Sequence, residues 1–282
     1  MPVPKEWMIR GALAAFGAAG LWLAWSQAQQ PAQLTMNKLT DHLYVILGDG
    51  GNVAVLTTAE GVLVVDDKFA QDAPQIMAKI KSVSDQPVKY VVNTHQHGDH
   101  TGGNVAMIAN GAQILIHKQA RANMLAGSMP GLPQITFSDE AQIFIGGKEV
   151  DIKHLGRGHT NGDAMVYFPS ERAVHGGDLF ITGGAPYCDT GAGCSMSEWS
   201  GTVQKALAWD FDIAIPGHGP VAKKADMAKW VTTMASIRDK AKAACAGGAA
   251  DAVSRFDLKD LGINSIGMMT RSFPGMCREF AP

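Results

Sequence analysis

A short histidine-rich segment directly follows an apolar run and limits the folds open to this chain. Positions 93–104 read NTHQHGDHTGGN, which places three histidines and one aspartate within six residues. The preceding run, VKYVVN, is too apolar for an exposed edge and predicts a buried strand. On a helix, side chains two positions apart point away from each other, so His95 and His97 could not converge. On a turn at the end of a strand they can, and strand ends in α/β folds hold ligand sites.

Three more metal-capable residues follow later predicted strands. His159 lies in LGRGHT, Asp178 lies in HGGDLF and His218 lies in PGHGP. A glycine directly precedes each of them and lets the backbone bend closely around an ion. An HxH pair alone is weak evidence for a metal site, whereas chance rarely supplies the four metal-capable residues of HxHxDH in that register. The recurrence of donors after strands therefore predicts one shared metal site.

These segments resemble, in type and in order, the ligand motifs of the metallo-β-lactamase superfamily, over roughly residues 38–222. The resemblance implies that superfamily's α/β architecture, an αββα sandwich in which helices flank two mixed β-sheets. The order of strand-like and helix-like segments, repeated twice along the chain, agrees with it. Carried over residue by residue, the resemblance implies a first zinc position with His95, His97 and His159 as ligands.

The resemblance also implies a second zinc position. Its ligands would be Asp99, His100 and His218, and Asp178 would be the carboxylate that bridges both ions. Imidazole and carboxylate suit zinc and leave positions open for water, although manganese or iron could replace it. Water bound to zinc has a pKa of about 7, so two zinc ions could aim a hydroxide at a carbonyl. Asp99 is the predicted catalytic residue, because it could orient that hydroxide or accept its proton.

Other side chains are predicted to support or surround this site. Asp66, which ends the apolar strand VLVV, resembles a family aspartate that holds the histidine-bearing turn by hydrogen bonds, and Asp67 could serve instead. Arg157 could pair with an anionic substrate, or could be a surface residue without a specific role. Tyr187, in the loop GGAPYCDTGAGC, could form a wall of the substrate pocket. The histidines outside the motifs are expected to be packed or hydrogen-bonded: His42, His117, His154 and His175.

The N-terminal residues are typical of an export signal. Lys5 and Arg10 precede or border an uncharged apolar core, GALAAFGAAGLWLAW, and small residues follow at signal-peptidase spacing. The core has fifteen residues, fewer than the ~20 that a helix needs to span a bilayer. We therefore expect a cleaved signal over residues 1–28 and a periplasmic or secreted protein, with an uncleaved anchor as the alternative.

The cysteines suit an oxidising compartment, where disulfides persist. Proximity in the sequence suggests that Cys188 pairs with Cys194 and that Cys245 pairs with Cys277. Free buried thiols are the alternative. None of the four has CxxC spacing, so a structural zinc site built from cysteines is not expected.

The expected organisation is a signal, a linker (29–37), one hydrolase domain (38–247) and a weakly patterned C-terminal extension of unknown role (248–282). The helical periodicity of apolar residues predicts three longer helices, near 70–83, 198–209 and 223–246.

Composition and two departures from the family pattern narrow the function. The formal net charge is −2 without an extended basic run, which argues against a nucleic-acid partner. Asp178 stands where the best-known di-zinc β-lactamases carry cysteine, or serine with the ligand relocated. Ile181 stands where a lysine commonly grips the carboxylate of a β-lactam.

The sequence therefore predicts an exported binuclear zinc hydrolase that opens an amide or ester bond of a small, cyclic molecule. The alternatives are a true β-lactamase, a thioesterase or lactonase, and a periplasmic metal-binding protein without turnover. The expected partner is a small-molecule substrate, with no membrane contact beyond the export signal, and the oligomeric state stays open.

Overall fold

Two β-sheets pack face to face in the computed structural model, which describes residues 33–281. The predicted export signal (1–28) and the first part of the expected linker lie outside the described residues.

The first sheet is mixed and has seven strands among the described residues. In spatial order they are β1 (Thr35–Lys38), β2 (Leu43–Leu47), β3 (Val53–Thr57), β4 (Val62–Val65), β5 (Val88–Asn93), β6 (Gln113–His117) and β7 (Ile135–Phe137). Neighbours are antiparallel from β1 to β4 and parallel from β4 to β7. Every residue of β4 is buried, because the strand is covered on both faces.

The second sheet has six strands in the same part of the chain. In spatial order they are β13 (Ala222–Lys223), β12 (Ile213–Ile215), β11 (Ala173–His175), β10 (Met165–Phe168), β9 (Lys148–Lys153) and β8 (Glu140–Ile145). Only β11 and β12 pair in parallel. Apolar side chains from both sheets form the buried layer between them, such as Val45 and Leu63 from the first and Ile152 and Phe168 from the second.

The longer helices of the described residues cover the outer faces of the sheets, whereas the short helix Gly98–Thr101 lies at the predicted metal site. The helices are α1 (Ala73–Val83), α2 (Gly98–Thr101), α3 (Asn104–Ala109), α4 (Lys118–Ala126), α5 (Met196–Ala206), α6 (Lys224–Cys245), α7 (Ala252–Arg255) and α8 (Phe273–Glu279). Ile76 and Ile80 of α1 pack on the first sheet, whereas Trp199 of α5 and Trp230 of α6 pack on the second. The architecture is an αββα sandwich, which confirms the expected fold class.

The three predicted longer helices are present with shifted ends. The helix expected over 70–83 starts as a 3₁₀ turn, Ala70–Asp72, and becomes α1 only at Ala73. The helix expected from position 198 begins two residues earlier, at Met196. The reason is that the Ser195 side chain accepts a hydrogen bond from the Glu198 N–H at 3.1 Å and so caps the helix.

Two segments outside the expected hydrolase domain (38–247) also contribute to the packed structure. β1 begins at Thr35, inside the expected linker, because Thr35–Lys38 pairs with β2. The C-terminal segment, residues 248–281, packs into the apolar cluster that contains Trp230. The rings of Phe256 and Phe273 in this segment lie 4.9 Å apart. The segment is therefore part of one compact unit that begins at position 34.

Both expected cysteine pairs are disulfide-bonded: Cys188 with Cys194, and Cys245 with Cys277. The first closes a short loop after β11, and the second ties the end of α6 to α8. Within residues 33–281, every helix is too short or too polar to cross a membrane.

Candidate metal centre

The seven predicted metal ligands lie together, on the loops that follow β5, β9, β11 and β12. Their donor atoms form three overlapping groups, and within each group the atoms lie within 4.8 Å of one another. The groups are His95–His97–His159, His95–His100–Asp178 and Asp99–His100–His218. None of these four strands lies at the edge of its sheet, and the loops that follow them bring residues distant in sequence together at one end of the sandwich.

The first group consists of three imidazoles whose nitrogens face one another. His97 Nδ1 lies 3.1 Å from His95 Nε2 and 2.8 Å from His159 Nε2. Burial lowers the pKa of His95 well below its usual value and that of His159 to about 4. Both are therefore neutral imidazoles, the form that binds metal ions.

The outward nitrogens of two of these histidines are held by one loop. His97 Nε2 lies 2.8 Å from the Asp189 Oδ2 oxygen, and His159 Nδ1 lies 2.6 Å from the Tyr187 carbonyl oxygen. An oxygen acceptor requires that the ring nitrogen facing it carries the hydrogen. In the neutral ring, the inward nitrogen is then the one that presents a lone pair to the centre of the group.

Asp66 orients one histidine of each predicted metal position. Its carboxylate accepts hydrogen bonds from the Thr94 N–H at 2.7 Å, the Thr94 hydroxyl at 2.8 Å and His100 Nδ1 at 2.7 Å. Because the Thr94 hydroxyl donates to Asp66, it accepts from His95 Nδ1, which lies 3.0 Å away. Asp67, the alternative, instead accepts a hydrogen bond from the Gly103 N–H. These contacts fit the supporting role predicted for Asp66.

The second group combines imidazole and carboxylate. His218 Nε2 lies 3.2 Å from both His100 Nε2 and Asp99 Oδ2. Burial by itself would lower the pKa of His218, but Asp178 and Asp99 raise it to about 9. Burial would raise the pKa of Asp99, but His218 and His100 lower it to about 2. The two carboxylates therefore favour the protonated, positively charged form of His218.

The Asp178 carboxylate faces both groups. Its Oδ1 oxygen lies 3.1 Å from His100 Nε2, and its Oδ2 oxygen lies 3.4 Å from His218 Nε2 and 3.5 Å from His159 Nε2. Although Oδ1 is buried and near His100, it makes no well-aligned hydrogen bond. A carboxylate in this place can contact two cations at once.

The donor set fits metal ions. Three inward lone pairs at 2.8–3.1 Å repel one another unless a cation lies between them. The five imidazoles and two carboxylates of the cluster are donor types that zinc binds. No cysteine is among the donors, so the set differs from sites that depend on thiolate.

Two buried residues that the sequence did not single out shape the second group. Gly51 lies flat against the His100 ring, where an added Cβ would come within 2.2 Å of the ring carbon Cε1. The buried Lys68 ammonium donates hydrogen bonds to the carbonyl oxygens of Asp49 and Gly51 and holds this β2–β3 turn in place. Neither position follows a recognisable pattern, since both contacts depend on how distant loops pack.

A cavity of about 690 Å³ opens above the cluster and is large enough for a small molecule. Tyr187, the predicted pocket-wall residue, is among its lining residues. Arg157 is not among them, because its guanidinium pairs with Glu198 of α5. The structure therefore places the predicted anion partner away from the metal cluster.

The chain belongs to the metallo-β-lactamase superfamily, whose family model matches residues 46–218, more than half of the chain. The matched range contains all seven predicted ligands. Membership confirms the resemblance found in the sequence.

Several known proteins are similar to this chain. The alpha subunit of 2,4-dinitroanisole O-demethylase from Nocardioides sp. (strain JS1661) is 27% identical over 227 residues, which are 77% of this chain and 66% of that subunit. The chain thus spans just under two thirds of that relative. A type 2 metallo-β-lactamase from Bacillus sp. (strain 170) is 26% identical over 177 residues, 61% of this chain and 68% of that enzyme.

A solved structure shares the fold. The metallo-β-lactamase from Pontibacter korlensis superposes with a TM-score of 0.65 at 22% identity and covers 72% of this chain and 99% of its own.

Proposed function

We propose that the chain is an exported hydrolase that holds two zinc ions and opens an amide or ester bond of a small, cyclic substrate. The observation that carries the proposal is the position of Asp178, whose two carboxylate oxygens face different groups of histidines. A carboxylate in that place is better suited to bridge two ions than to bind a single ion.

The two donor groups define the roles of the residues. His95, His97 and His159 would hold one ion, and Asp99, His100 and His218 would hold the other. Zinc bound by these residues would supply a nucleophilic water at neutral pH and a Lewis acid for a carbonyl group.

The Asp99 carboxylate lines the cavity and is ionised, since His218 and His100 lower its pKa to about 2. It can therefore accept a hydrogen bond from an attacking water and keep its oxygen directed at the substrate. Asp66, Asp189 and the Tyr187 carbonyl keep the histidine rings in place while the substrate enters and the product leaves.

The proteins similar to this chain are named for more than one kind of reaction. A similar protein is named a metallo-β-lactamase and another is named an O-demethylase subunit, so related chains carry different names for their activities. Ile181 lines the cavity where a lysine would grip a β-lactam carboxylate, which favours other substrates. β-Lactamase, thioesterase and lactonase activities are the alternatives, and manganese or iron could replace zinc.

Export is the part of the proposal that rests on residues 1–28 and on the two disulfides. Both cysteine pairs form disulfides, which persist in the periplasm and outside the cell. N-terminal sequencing of protein recovered from the periplasmic fraction would test this part. An intact residue 1 in that fraction would contradict cleavage.

The decisive experiment uses the chain expressed in full, purified and loaded with zinc. We expect two zinc ions per chain by elemental analysis, and hydrolysis of an aryl ester, a lactone or a thioester that chelator abolishes and zinc restores. A chromogenic cephalosporin is assayed alongside to test the β-lactamase alternative. Two bound zinc ions without turnover of any of these substrates would favour the non-enzymatic metal-binding alternative and overturn the proposal.

A further inference from the structure

The outer part of the cavity above the metal cluster is apolar. Its apolar lining residues come from three separate segments: Phe69, Ile181, Ala185, Tyr187 and Met268. Among the described residues that line this cavity there is neither a lysine nor an arginine. Apart from the donor cluster, the charge available to a bound substrate is therefore small.

We propose that this apolar wall selects substrates whose group beside the scissile carbonyl is uncharged and apolar, and that Met268 is a specificity-determining residue. The proposal rests on the hydrolase function proposed above and names its substrate class. A carboxylate placed against these side chains would lose its hydration without gaining a partner, which is unfavourable. An alkyl or aryl group in the same place gains from the removal of apolar surface from water.

Met268 reaches the cavity because its neighbours anchor the backbone. It lies in a 3₁₀ segment, Gly267–Ser272. Met269, which follows it in this segment, is 1% exposed, and Ser272 at the end of the segment is also buried. Phe273 follows directly and is fully buried. Met268 itself is 54% exposed and lies at the cavity mouth. The superfamily model ends at position 218, so this wall residue comes from a segment outside the matched region.

Several contacts hold the C-terminal segment against the loop that carries Tyr187. The Ser272 hydroxyl oxygen accepts a hydrogen bond from the Cys188 N–H at 3.3 Å. The Glu279 carboxylate accepts hydrogen bonds from the Ser195 hydroxyl at 2.7 Å and the Met196 N–H at 3.0 Å. The disulfide between Cys245 and Cys277 ties the segment to α6. The wall is therefore built into the fold.

The cations near the cavity are engaged elsewhere or lie outside its lining. Lys68 is buried and donates to two backbone carbonyls of the β2–β3 turn. Arg157 pairs with Glu198. Burial and Asp189 raise the pKa of Tyr187, an effect that Arg271 opposes, so Arg271 is the cation whose charge reaches this wall. The test therefore includes Arg271 explicitly.

The first measurement compares two substrates that differ only in charge. These are p-nitrophenyl hydrogen adipate, which is anionic at pH 7, and its methyl ester, which is neutral and has the same leaving group. We expect the zinc-loaded full chain to hydrolyse the neutral ester with a kcat/KM about tenfold or more above that of the anionic one, because the carboxylate has no partner in the wall. Equal values, or a preference for the anion, would overturn the proposal.

Variants then assign the preference to the wall. Met268→Lys should lower the ratio of neutral to anionic kcat/KM about tenfold, whereas Met268→Leu should preserve it, because it keeps an apolar side chain of similar volume. Val253→Lys, at an exposed position of the same segment outside the cavity lining, is the matched control and should leave the ratio unchanged. Arg271→Ala should not lower the ratio, because this change removes a cation that can favour only the anionic substrate. A ratio that Met268→Lys does not move would overturn the role of Met268.

A binding experiment separates this proposal from the hydrolase function. Adipanilic acid and its methyl ester are titrated into the full chain after chelator treatment, and binding is followed by saturation-transfer NMR. We expect the neutral anilide to bind about tenfold more tightly, and Met268→Lys to reduce that difference. If no ester is hydrolysed but this selectivity is present, only the hydrolase function fails. If hydrolysis occurs without charge selectivity in either experiment, only the substrate class is wrong.

Discussion

The Asp189 carboxylate accepts a hydrogen bond from His97 at 2.8 Å from within the loop that the Cys188–Cys194 disulfide closes. Its other oxygen accepts from the N–H groups of Gly191 and Ala192, so the loop orients the carboxylate. Since the neighbouring Tyr187 carbonyl holds His159, one loop aligns two of the three histidines of the first predicted metal position.

The first prediction concerns this carboxylate. Asp189→Asn can keep the oxygen that accepts from Gly191 and Ala192, but its amide N–H would face the His97 N–H. We expect zinc affinity at the first position to fall about 10–100-fold, as is usual when a partner of a ligand histidine is removed. Competition with a chromophoric chelator measures this affinity. Asp239→Asn, at an exposed ion pair on α6, is the control and should bind zinc like the native chain, and an unchanged affinity in Asp189→Asn would refute the orienting role.

The second prediction concerns the proposed bridge. Asp178→Ala should lose one ion per chain and most of the turnover, because both groups of histidines lose the carboxylate that they share. Elemental analysis after dialysis measures the ion content. Retention of both ions at full occupancy would show that Asp178 does not bridge them.

The third prediction concerns the turn between β2 and β3. Gly51→Ala would place a Cβ 2.2 Å from the His100 ring, so the ring or the turn must move. We expect a loss of about 1–3 kcal/mol in the free energy of unfolding. We also expect weaker binding of the second ion, because His100 would shift. Denaturant unfolding and chelator competition measure the two effects.

Gly201→Ala is the matched control for that variant. Gly201 lies within α5, and an added Cβ there would have no atom within 4 Å. Removing a glycine from a helix interior should leave stability unchanged or raise it by up to about 1 kcal/mol. If both variants were equally stable and bound zinc equally, the close contact between Gly51 and His100 would be unimportant.

The fourth prediction concerns pH. Burial raises the pKa of Asp163 from 3.8 to about 7, although Thr160 donates two hydrogen bonds to its carboxylate. Because the folded state holds this proton more tightly than the unfolded chain, the contribution to stability is complete below about pH 4 and is lost as the pH rises through about 7. Asp163→Asn cannot titrate at this position. As the pH rises from about 4 to about 7, the unfolding free energy of the native chain should therefore fall relative to that of the variant. Denaturant unfolding at several pH values measures it, and a difference that stays constant with pH would refute the assignment.

The candidate ligands were visible in the sequence because each is a local pattern. His95 to His100 form one motif after an apolar strand, and His159, Asp178 and His218 each directly follow a glycine at a later strand end. Such patterns need no knowledge of distant contacts, since a strand followed by a glycine-rich turn folds similarly wherever it occurs. The αββα class was implied by the resemblance to the superfamily, and the cysteine pairs form the disulfides that proximity in the sequence suggested.

The surroundings of the cluster were decided only by tertiary packing. Asp189 meets His97 across 92 positions of sequence, and Met268 reaches the cavity from a C-terminal segment without a clear apolar period. Arg157 lies close to His159 in sequence, yet its charge is paired with Glu198 on α5. The physical reason is that a side chain's partner depends on which elements the sheets bring together, and short-range composition carries no information about contacts between distant loops. The sequence alone therefore determined the donors, while the folded sandwich determined what holds them and what can approach them.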